Sequence, residues 1–151
     1  DDADLRIFDI RSSAAGVRYR AELDGAADEP ADLDQEAMTF EYWRHDVWDD
    51  PGLAHDLSVA VLAPTGEVAS FSLLLRDRDR VWSDMTTTLP AHRGRGLARL
   101  AKTSALLRAA AAGVTTAYTT NDATNAPMLA INTGLGYRPV STIHSCLATL
   151  T

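Results

Sequence analysis

Two glycines mark the place where the hydrophobic pattern of the chain changes its period. Residues from Val81 to Leu89 alternate as in a β-strand that Pro90 stops. From about Gly94 to Ala112 apolar residues recur at helical spacing, which predicts a helix with Gly113 as its C-cap. Backbone N–H groups at the start of a helix that follows such a turn point the same way with no side chains in front of them, and this geometry binds phosphate.

Two familiar phosphate loops do not fit this turn. In Arg93-Gly94-Arg95-Gly96-Leu97-Ala98 the second glycine is followed by Leu97-Ala98, where a Walker A loop has Lys and then Ser or Thr. A dinucleotide loop needs a third small residue where Arg99 stands. Taken alone, the turn has two interpretations: a phosphate-binding loop, or an ordinary strand-to-helix turn that uses glycine for its positive φ.

The remaining segments predict an α+β fold with a layered arrangement. We expect an edge strand, one bent helix or two short ones, a β-hairpin, and, after the long helix, a strand, a short helix and one or two terminal strands. The edge strand is expected over Asp4–Arg11, the helical segment over Ala31–Asp50, and the hairpin over Leu57–Leu62 and Val68–Leu75. The strand after the long helix is expected over Val114–Thr120, the short helix has Asn125 as its N-cap, and the terminal strands are expected within Val140–Leu150. A chain of 151 residues without repeats or linkers predicts one domain, 1–151.

The long helix has an apolar and a cationic side in the sequence. The apolar stripe, which we expect to face the core, is Leu97, Leu100, Ser104, Leu107 and Ala111. The cationic side is Arg95, Arg99 and Lys102. The two tryptophans of the preceding helical segment, Trp43 and Trp48, are expected to pack in the core; the alternative is that they line a substrate pocket.

The charge of the chain is divided unevenly. The formal net charge of −7 is the sum of −11 in residues 1–56 and +4 in residues 57–151. An acidic surface repels nucleic-acid phosphates, which argues against a nucleic-acid partner, whereas a locally basic segment is able to hold a small phosphorylated ligand.

Composition argues against several other classes. No run of 18 uncharged apolar residues is present, so we expect no membrane span. The one cysteine, Cys146, and the four histidines have no metal-site spacing, so we expect no disulfide framework and no metal. The acidic start, Asp1-Asp2-Ala3-Asp4, differs from a secretory signal, and we therefore expect a cytoplasmic protein.

A second motif strengthens the phosphate-loop interpretation. About 30 residues after the glycine loop comes Asn125-Ala126-Pro127-Met128-Leu129-Ala130-Ile131-Asn132-Thr133-Gly134-Leu135-Gly136-Tyr137. In this order the two motifs resemble the GNAT superfamily of acyl-CoA-dependent N-acyltransferases: the first resembles its Arg/Gln-x-x-Gly-x-Gly/Ala pyrophosphate loop, the second its last helix. The resemblance extends over Asp84 to Tyr137, and over Leu57 to Arg80 by strand pattern only.

The resemblance implies the GNAT fold and an acyl-CoA cofactor, acetyl-CoA or another. The fold is a mixed, mostly antiparallel central sheet with flanking helices, whose central strands, about Val81–Leu89 and Val114–Thr120, splay apart to admit pantetheine. The cofactor-binding residues that it implies are Thr86, Thr87, Thr88, Arg93, Gly94, Arg95, Gly96, Leu97, Ala98, Asn121 and Asn125. The cationic side of the helix is either solvated or meets the 3′-phosphate of CoA.

Acyl transfer to an amine also needs groups that move protons. The resemblance implies that Asp84 is the general base. Because side chains of a β-strand alternate between its two faces, Asp84 would share a face with Thr86 and Thr88. The alternative to a catalytic role is that Asp84 is a solvated carboxylate at the end of the strand. The family's usual acid is a Tyr where this chain has Asn132. Either Tyr137 or another residue acts as the acid that protonates the leaving sulfur, or the thiolate leaves without a proton. Departure without a proton is chemically feasible because the pKa of a thiol is near 8.5.

The leading hypothesis is an N-acyltransferase that uses acetyl-CoA and a primary amine of a small molecule in a ternary complex. The acidic first third could attract a cationic amine. The alternatives are a non-catalytic CoA-binding or interaction domain of a larger tandem protein, and a plain α+β interaction module. The tandem alternative rests on a resemblance to the carboxy-terminal halves of tandem GNAT proteins, the mycothiol synthase-like group, and on a start without methionine, which fits a preceding domain. Acceptor, acyl length and oligomeric state, a homodimer included, stay open.

Overall fold

The computed structural model describes residues 6–9 and 39–144, with side chains from residue 39 onward. The elements are β1 (Arg6–Asp9), α1 (Phe40–Trp43) continued by a π-helical turn (Arg44–Trp48), β2 (Val59–Leu62), β3 (Val68–Asp77), β4 (Arg80–Thr88), a 3-10 turn (Pro90–His92), α2 (Leu97–Ala111), β5 (Thr116–Thr119) and α3 (Ala126–Gly134). They fall into two compact units, Asp1–Thr120 with the sheet, α1 and α2, and Asn121–Thr151 with α3.

The five strands form one mixed sheet in the order β1-β2-β3-β4-β5. The pairs from β1 to β4 are antiparallel, and β4 pairs with β5 in parallel because α2 crosses between them. This confirms the predicted α+β class, the hairpin and the edge position of the first strand.

The strands β4 and β5 pair over a short stretch only. Four residue pairs join them, from Arg80↔Thr116 to Ser83↔Thr119. β4 then continues to Thr88, whereas β5 ends at Thr119. Beyond this last pair, which we call the apex, this edge of β4 has no strand partner among the described residues, and we call the space along it the gap.

Each face of the sheet has its own hydrophobic cluster. On the face covered by α2, Val59, Val61, Leu74 and Val81 pack against helix residues Leu97, Ala101, Ala105 and Ala109. We call this the α2 face. On the other side, the far face, the cluster comprises Leu53, Ala60, Val68, Phe71, Leu73 and Leu89, with Trp48 packed against it. Trp43 is buried too, as predicted for core tryptophans.

The predicted apolar stripe of α2 is wrong in most of its members. Leu100 and Leu107 are 38% and 66% exposed, and the buried stripe is formed by alanines instead. Because alanine has only a methyl side chain, Ala101, Ala105 and Ala109 let the helix backbone approach the sheet closely, and this orientation is favoured over one that buries the leucines.

Three predicted boundaries also change. The long helix starts at Leu97 rather than near Gly94, because Gly94 and Gly96 adopt φ of +74° and +76°, which no α-helix contains. The strand predicted over 114–120 is limited to Thr116–Thr119. Residues 140–144 form no strand, and the rest of the predicted terminal strands, like helix residues 31–38, lies outside the described residues.

The alanine stripe makes a testable prediction about stability. Ala105→Leu adds three carbons where there is no exposed surface, so we expect the free energy of unfolding to fall by about 1–3 kcal/mol through overpacking. The control is Leu107→Ala on the exposed side of the same helix, for which we expect a change within about 0.5 kcal/mol. Urea denaturation of both variants measures the difference, and equal effects would contradict the packing described here.

Candidate active site

The glycine loop between β4 and α2 leaves its backbone open. Gly94 and Gly96 both have left-handed φ, and a Cβ built on either would meet no atom within 4 Å. The glycines are therefore required by conformation rather than by close packing, and the space in front of them is free.

The start of α2 provides a group of unused amide donors. The first hydrogen bond of the helix runs from the N–H of Leu100 to the carbonyl of Gly96, at 3.0 Å, and Gly96 has no capping side chain. Among the described residues, no acceptor bonds the amides of Gly94, Gly96, Leu97 or Ala98. Such an arrangement, at the positive end of a 15-residue helix, is suited to an anion.

Side chains around the loop hold it in place. The Arg93 guanidinium donates from Nε to the carbonyl of Thr88 at 3.1 Å, which ties the loop to the end of β4. His92 bridges the loop to the hairpin, with Nε2 at 3.1 Å from Oε2 of Glu67. Arg95 is exposed, and its Nη1 lies 3.3 Å from Nδ1 of His92. The loop is therefore braced from both sides, while its amides stay open.

The threonines of β4 direct their hydroxyls toward β3. Thr86 Oγ1 lies 2.9 Å from Ser72 Oγ, and Thr88 Oγ1 lies 2.9 Å from Ser70 Oγ. Thr87 is buried on the opposite side of the strand. The part of these residues that remains for a ligand in the gap is the backbone edge of β4.

A β-bulge interrupts β4 next to the apex. The register with β3 shifts between Ser72 and Leu74, so that two residues of β4, Asp84 and Met85, oppose one residue of β3. A bulge adds one residue to the strand and reverses the alternation of its side chains from that point on.

The bulge overturns one prediction about Asp84. Thr86 and Thr88 are on the α2 face, where they pair with residues of β3 on that side. Met85 packs against the cluster of the far face, so the two bulge residues interrupt the period of two. Asp84 therefore does not share a face with Thr86 and Thr88, because the sequence pattern assumed an unbroken strand.

The Asp84 carboxyl group is in a setting that favours its neutral form. Desolvation by surrounding protein atoms, and secondly the negative charge of Asp50, raise the pKa of Asp84 above its ordinary value, although the side chain keeps an exposed surface. Asp84 is also the first residue of β4 beyond the apex. A carboxylate with a raised pKa at the closed end of this gap is suited to accept a proton.

An aromatic pair lies beside Asp84 in sequence and across the last β4–β5 pairs. Trp82 and Tyr118 are register partners whose rings stack at 5.7 Å, with 17° between their planes. Trp82 pairs with Leu75 of the far face, and its side chain is 42% exposed. This pair was not predicted from the sequence. The signal that could have indicated it is a large aromatic residue, Trp82, at a position of the alternating strand that faces solvent.

Lys102 is the largest departure from the sequence analysis. It was assigned to the cationic side of the long helix, yet only 1% of it is exposed, and its Nζ donates to Thr119 Oγ1 at 3.5 Å. Burial lowers the pKa of Lys102 from 10.5 to about 8. Arg95 and Arg99 remain exposed, as predicted.

The second unit contains the other predicted site residues. Asn125 accepts from the N–H of Met128 at 3.2 Å, as expected of the N-cap of α3. Asn121 accepts from the buried Asn132 side chain. Tyr137 follows α3, and burial raises its pKa to about 12, which makes its hydroxyl a weak proton donor at neutral pH.

No group of three or more His, Cys, Asp or Glu side chains within residues 39–144 is placed to hold a metal ion. None of the described helices has the length and apolar character needed to cross a membrane.

The fold is the one found in solved structures of GCN5-related N-acetyltransferases, which is the fold that the two motifs predicted. The GCN5-related N-acetyltransferase from Kribbella flavida superposes with a TM-score of 0.73 at 19% identity, covering 95% of this chain and 88% of that one. The ribosomal-protein-S18-alanine N-acetyltransferase from Escherichia coli gives 0.73 at 15% identity, with 91% and 79% covered. The aminoglycoside N-acetyltransferase AAC(6')-Iy in complex with CoA gives 0.66 at 14% identity, with 97% and 95% covered.

Sequence comparison adds no closer relative. No protein-family model matches the chain, and no curated protein matches it significantly. At these identities the likeness is one of fold.

Burial of Lys102 makes a prediction about the pH dependence of stability. Below pH 8 both the folded and the unfolded chain hold the proton, and the folded state carries the cost of a buried charge. Between about 8 and 10.5 only the unfolded chain stays protonated at this residue, so the free energy of unfolding rises with pH, by at most about 1.4 kcal/mol per unit. We expect Lys102→Met to be more stable than the wild type at pH 7 and to lack this rise. Urea denaturation at pH 7 and 9.5 measures the free energy of unfolding of both proteins. If this free energy changes with pH by the same amount in the wild type and in Lys102→Met, the Lys102 ammonium is not buried as described.

Proposed function

We propose that this chain is an N-acyltransferase that transfers an acetyl group from acetyl-CoA to the primary amine of a small molecule by direct attack in a ternary complex. The observation that carries the proposal is the group of open amides at Gly94–Ala98, which follows directly on the unpaired edge of β4. A cofactor with a diphosphate and an amide-containing arm fits these two features in that order.

The loop supplies the diphosphate site. Four amide donors, the positive end of α2 and the exposed Arg95 and Arg99 all favour a dianionic group at the same place. The arm of the cofactor then runs along β4 from Thr88 toward the apex, where the free strand edge offers it backbone donors and acceptors. The thioester reaches the bulge at Asp84.

The proton acceptor in this proposal is Asp84. An amine attacks as its neutral form and loses a proton as the amide forms, and a general base is typically worth about 10² to 10⁴ in rate. The raised pKa of Asp84 makes its carboxylate a better base than an ordinary aspartate.

The acceptor is a cationic amine in this proposal. Asp50 and Asp84 are close enough for the charge of Asp50 to raise the pKa of Asp84, and the Trp82–Tyr118 stack, whose Trp82 is exposed, lies on the far face of β4. Carboxylates attract an ammonium group and aromatic rings stabilise it. Among the structural neighbours, one is named for a ribosomal-protein alanine and another for aminoglycosides, so the acceptor has to be inferred from this face rather than from the fold.

The loop is tested by a charge placed among its amides. Ala98→Glu puts a carboxylate in the first turn of α2, where it suits the helix dipole but repels a diphosphate, so we expect CoA affinity to fall at least about tenfold with stability retained. Ala98→Gln is the control of equal size. Isothermal titration calorimetry with CoA measures both variants. Equal affinities for Glu and Gln, or no binding of CoA to the wild type, would contradict the assignment of the loop.

The base is tested by Asp84→Asn. We expect turnover with acetyl-CoA to fall by about 10² with CoA affinity unchanged, and wild-type activity to decline as pH drops through the raised pKa of Asp84. Asp77→Asn, at the exposed end of β3, is the control.

The acceptors are spermidine, neamine, an alanine-starting peptide and, as an acidic comparison, glutamate. If CoA binds and none of them is acetylated above the blank, the chain is a CoA-binding module without this activity.

A further inference from the structure

A buried polar cluster lies under the apex on the α2 face. The Lys102 ammonium donates to Thr119 Oγ1 at 3.5 Å, and this hydroxyl donates to the carbonyl of Ser83 at 3.1 Å. Ser83 and Thr119 are the last paired residues before β4 and β5 separate. The cluster therefore lies at the closed end of the gap.

The Ser83 hydroxyl adds a second observation. Ser83 is 2% exposed, and its Oγ has no hydrogen-bond partner among the described residues. A buried hydroxyl left without a partner costs about 1–3 kcal/mol and calls for a partner that the described residues do not supply. A ligand atom at the end of the gap, next to both Ser83 and Lys102, would provide one.

We propose that Lys102 is the proton donor to the sulfur of CoA as the thioester breaks, and that Ser83 Oγ hydrogen-bonds the same sulfur. This inference rests on the proposed function. The acceptor nitrogen forms a bond to the carbonyl carbon, the C–S bond breaks, and its electron pair stays on sulfur. One proton passes from the Lys102 ammonium to the sulfur. The proton lost by the acceptor nitrogen passes to Asp84, and water restores both groups.

The acidity of Lys102 suits this step. Its pKa of about 8 is close to that of an ordinary thiol, near 8.5, so the transfer is nearly balanced and the lysine can be recharged at neutral pH. The Tyr137 hydroxyl, with a pKa of about 12, holds its proton too tightly for the same task.

Few titratable groups lie on the elements packed against Lys102. β2 has none; on β3, Asp77 is exposed; on β4, Arg80 is exposed and Asp84 is out of phase with the α2 face; on β5, Tyr118 stacks with Trp82. On β3, Arg76 reaches the C-terminal end of α2, where its Nη2 donates to the Ala112 carbonyl. Desolvation is accordingly the cause of the lowered pKa of Lys102.

The first experiment needs neither acceptor nor turnover. The ultraviolet absorbance of the thiolate is followed as the complex of the full chain with CoA is titrated with base. We expect the thiol pKa of bound CoA to lie about one unit below that of free CoA, because a cation beside the sulfur favours the thiolate. Lys102→Met should abolish the shift, Lys102→Arg should keep it, and Leu107→Met, on the exposed side of α2, serves as the control.

The second experiment separates charge from proton donation. With acetyl-CoA and the best acceptor of the panel, both Lys102→Met and Lys102→Arg should lose about 10² in kcat with little change in KM for acetyl-CoA, since arginine keeps the charge but does not release a proton. Wild-type kcat should decline above pH 8, and this decline should be absent from both variants.

The outcomes are distinct. A bound thiol with the same pKa in the wild type and in Lys102→Met overturns the inference and leaves the proposed function intact. Full activity of Lys102→Arg overturns proton donation. If CoA does not bind to the wild type at all, the proposed function fails, and the assignment of Lys102 fails with it.

Discussion

The separation of β4 from β5 at the apex is the constraint on which the rest of the molecule depends. A strand edge with free N–H and C=O groups is unfavourable unless something covers it, and here such an edge begins where β5, the last strand in the order of the described sheet, stops pairing with β4. The bulge at Asp84 lies at the same point, where the extra residue increases the local twist of β4. The gap is thus part of the sheet's own geometry, and it ends in front of the glycine loop.

The sheet also divides the titratable groups of the apex between its two faces. Asp84 is associated with the far face and Lys102 with the α2 face, and each is next to the last β4–β5 pair. Desolvation acts on both but in opposite directions, since it raises the pKa of a carboxyl group and lowers that of an amine. A carboxylate that is a stronger base than usual and an ammonium that is a stronger acid than usual, on opposite faces of the sheet at the apex, are suited to serve the same reaction as base and acid.

What the sequence predicted well was local. The left-handed glycines of the loop and the Asn125 cap follow from residue types at fixed positions in the pattern. What it missed was set by contacts between elements. The bulge is a property of the β3–β4 register, so no period within β4 alone reveals that Asp84 is out of phase with Thr86.

Lys102 was misplaced for a related reason. The sequence pattern was interpreted on the assumption that the larger apolar residues of α2, its leucines, face the core. In the structure most of the buried positions of the helix are alanines instead. Ala101, Ala105 and Ala109 recur every four residues, and this spacing was the available signal for a close-packed face. Lys102 follows the first of them and lies at the margin of that face, not opposite to it.

The alanine stripe and the buried lysine belong to one arrangement. Because the helix is separated from the sheet only by methyl groups along this stripe, the four-carbon stem of Lys102 is long enough to carry its ammonium to Thr119 at the apex. Leucines in the stripe would move the helix outward and draw the ammonium away from the β4–β5 pair. The stem also fills apolar volume that a shorter polar side chain would leave empty, so the charge is the only part of Lys102 that opposes folding. The packing of α2 thus determines both the stability of the sheet and the position of the one amine at the end of the gap, among the residues whose side chains the structure describes.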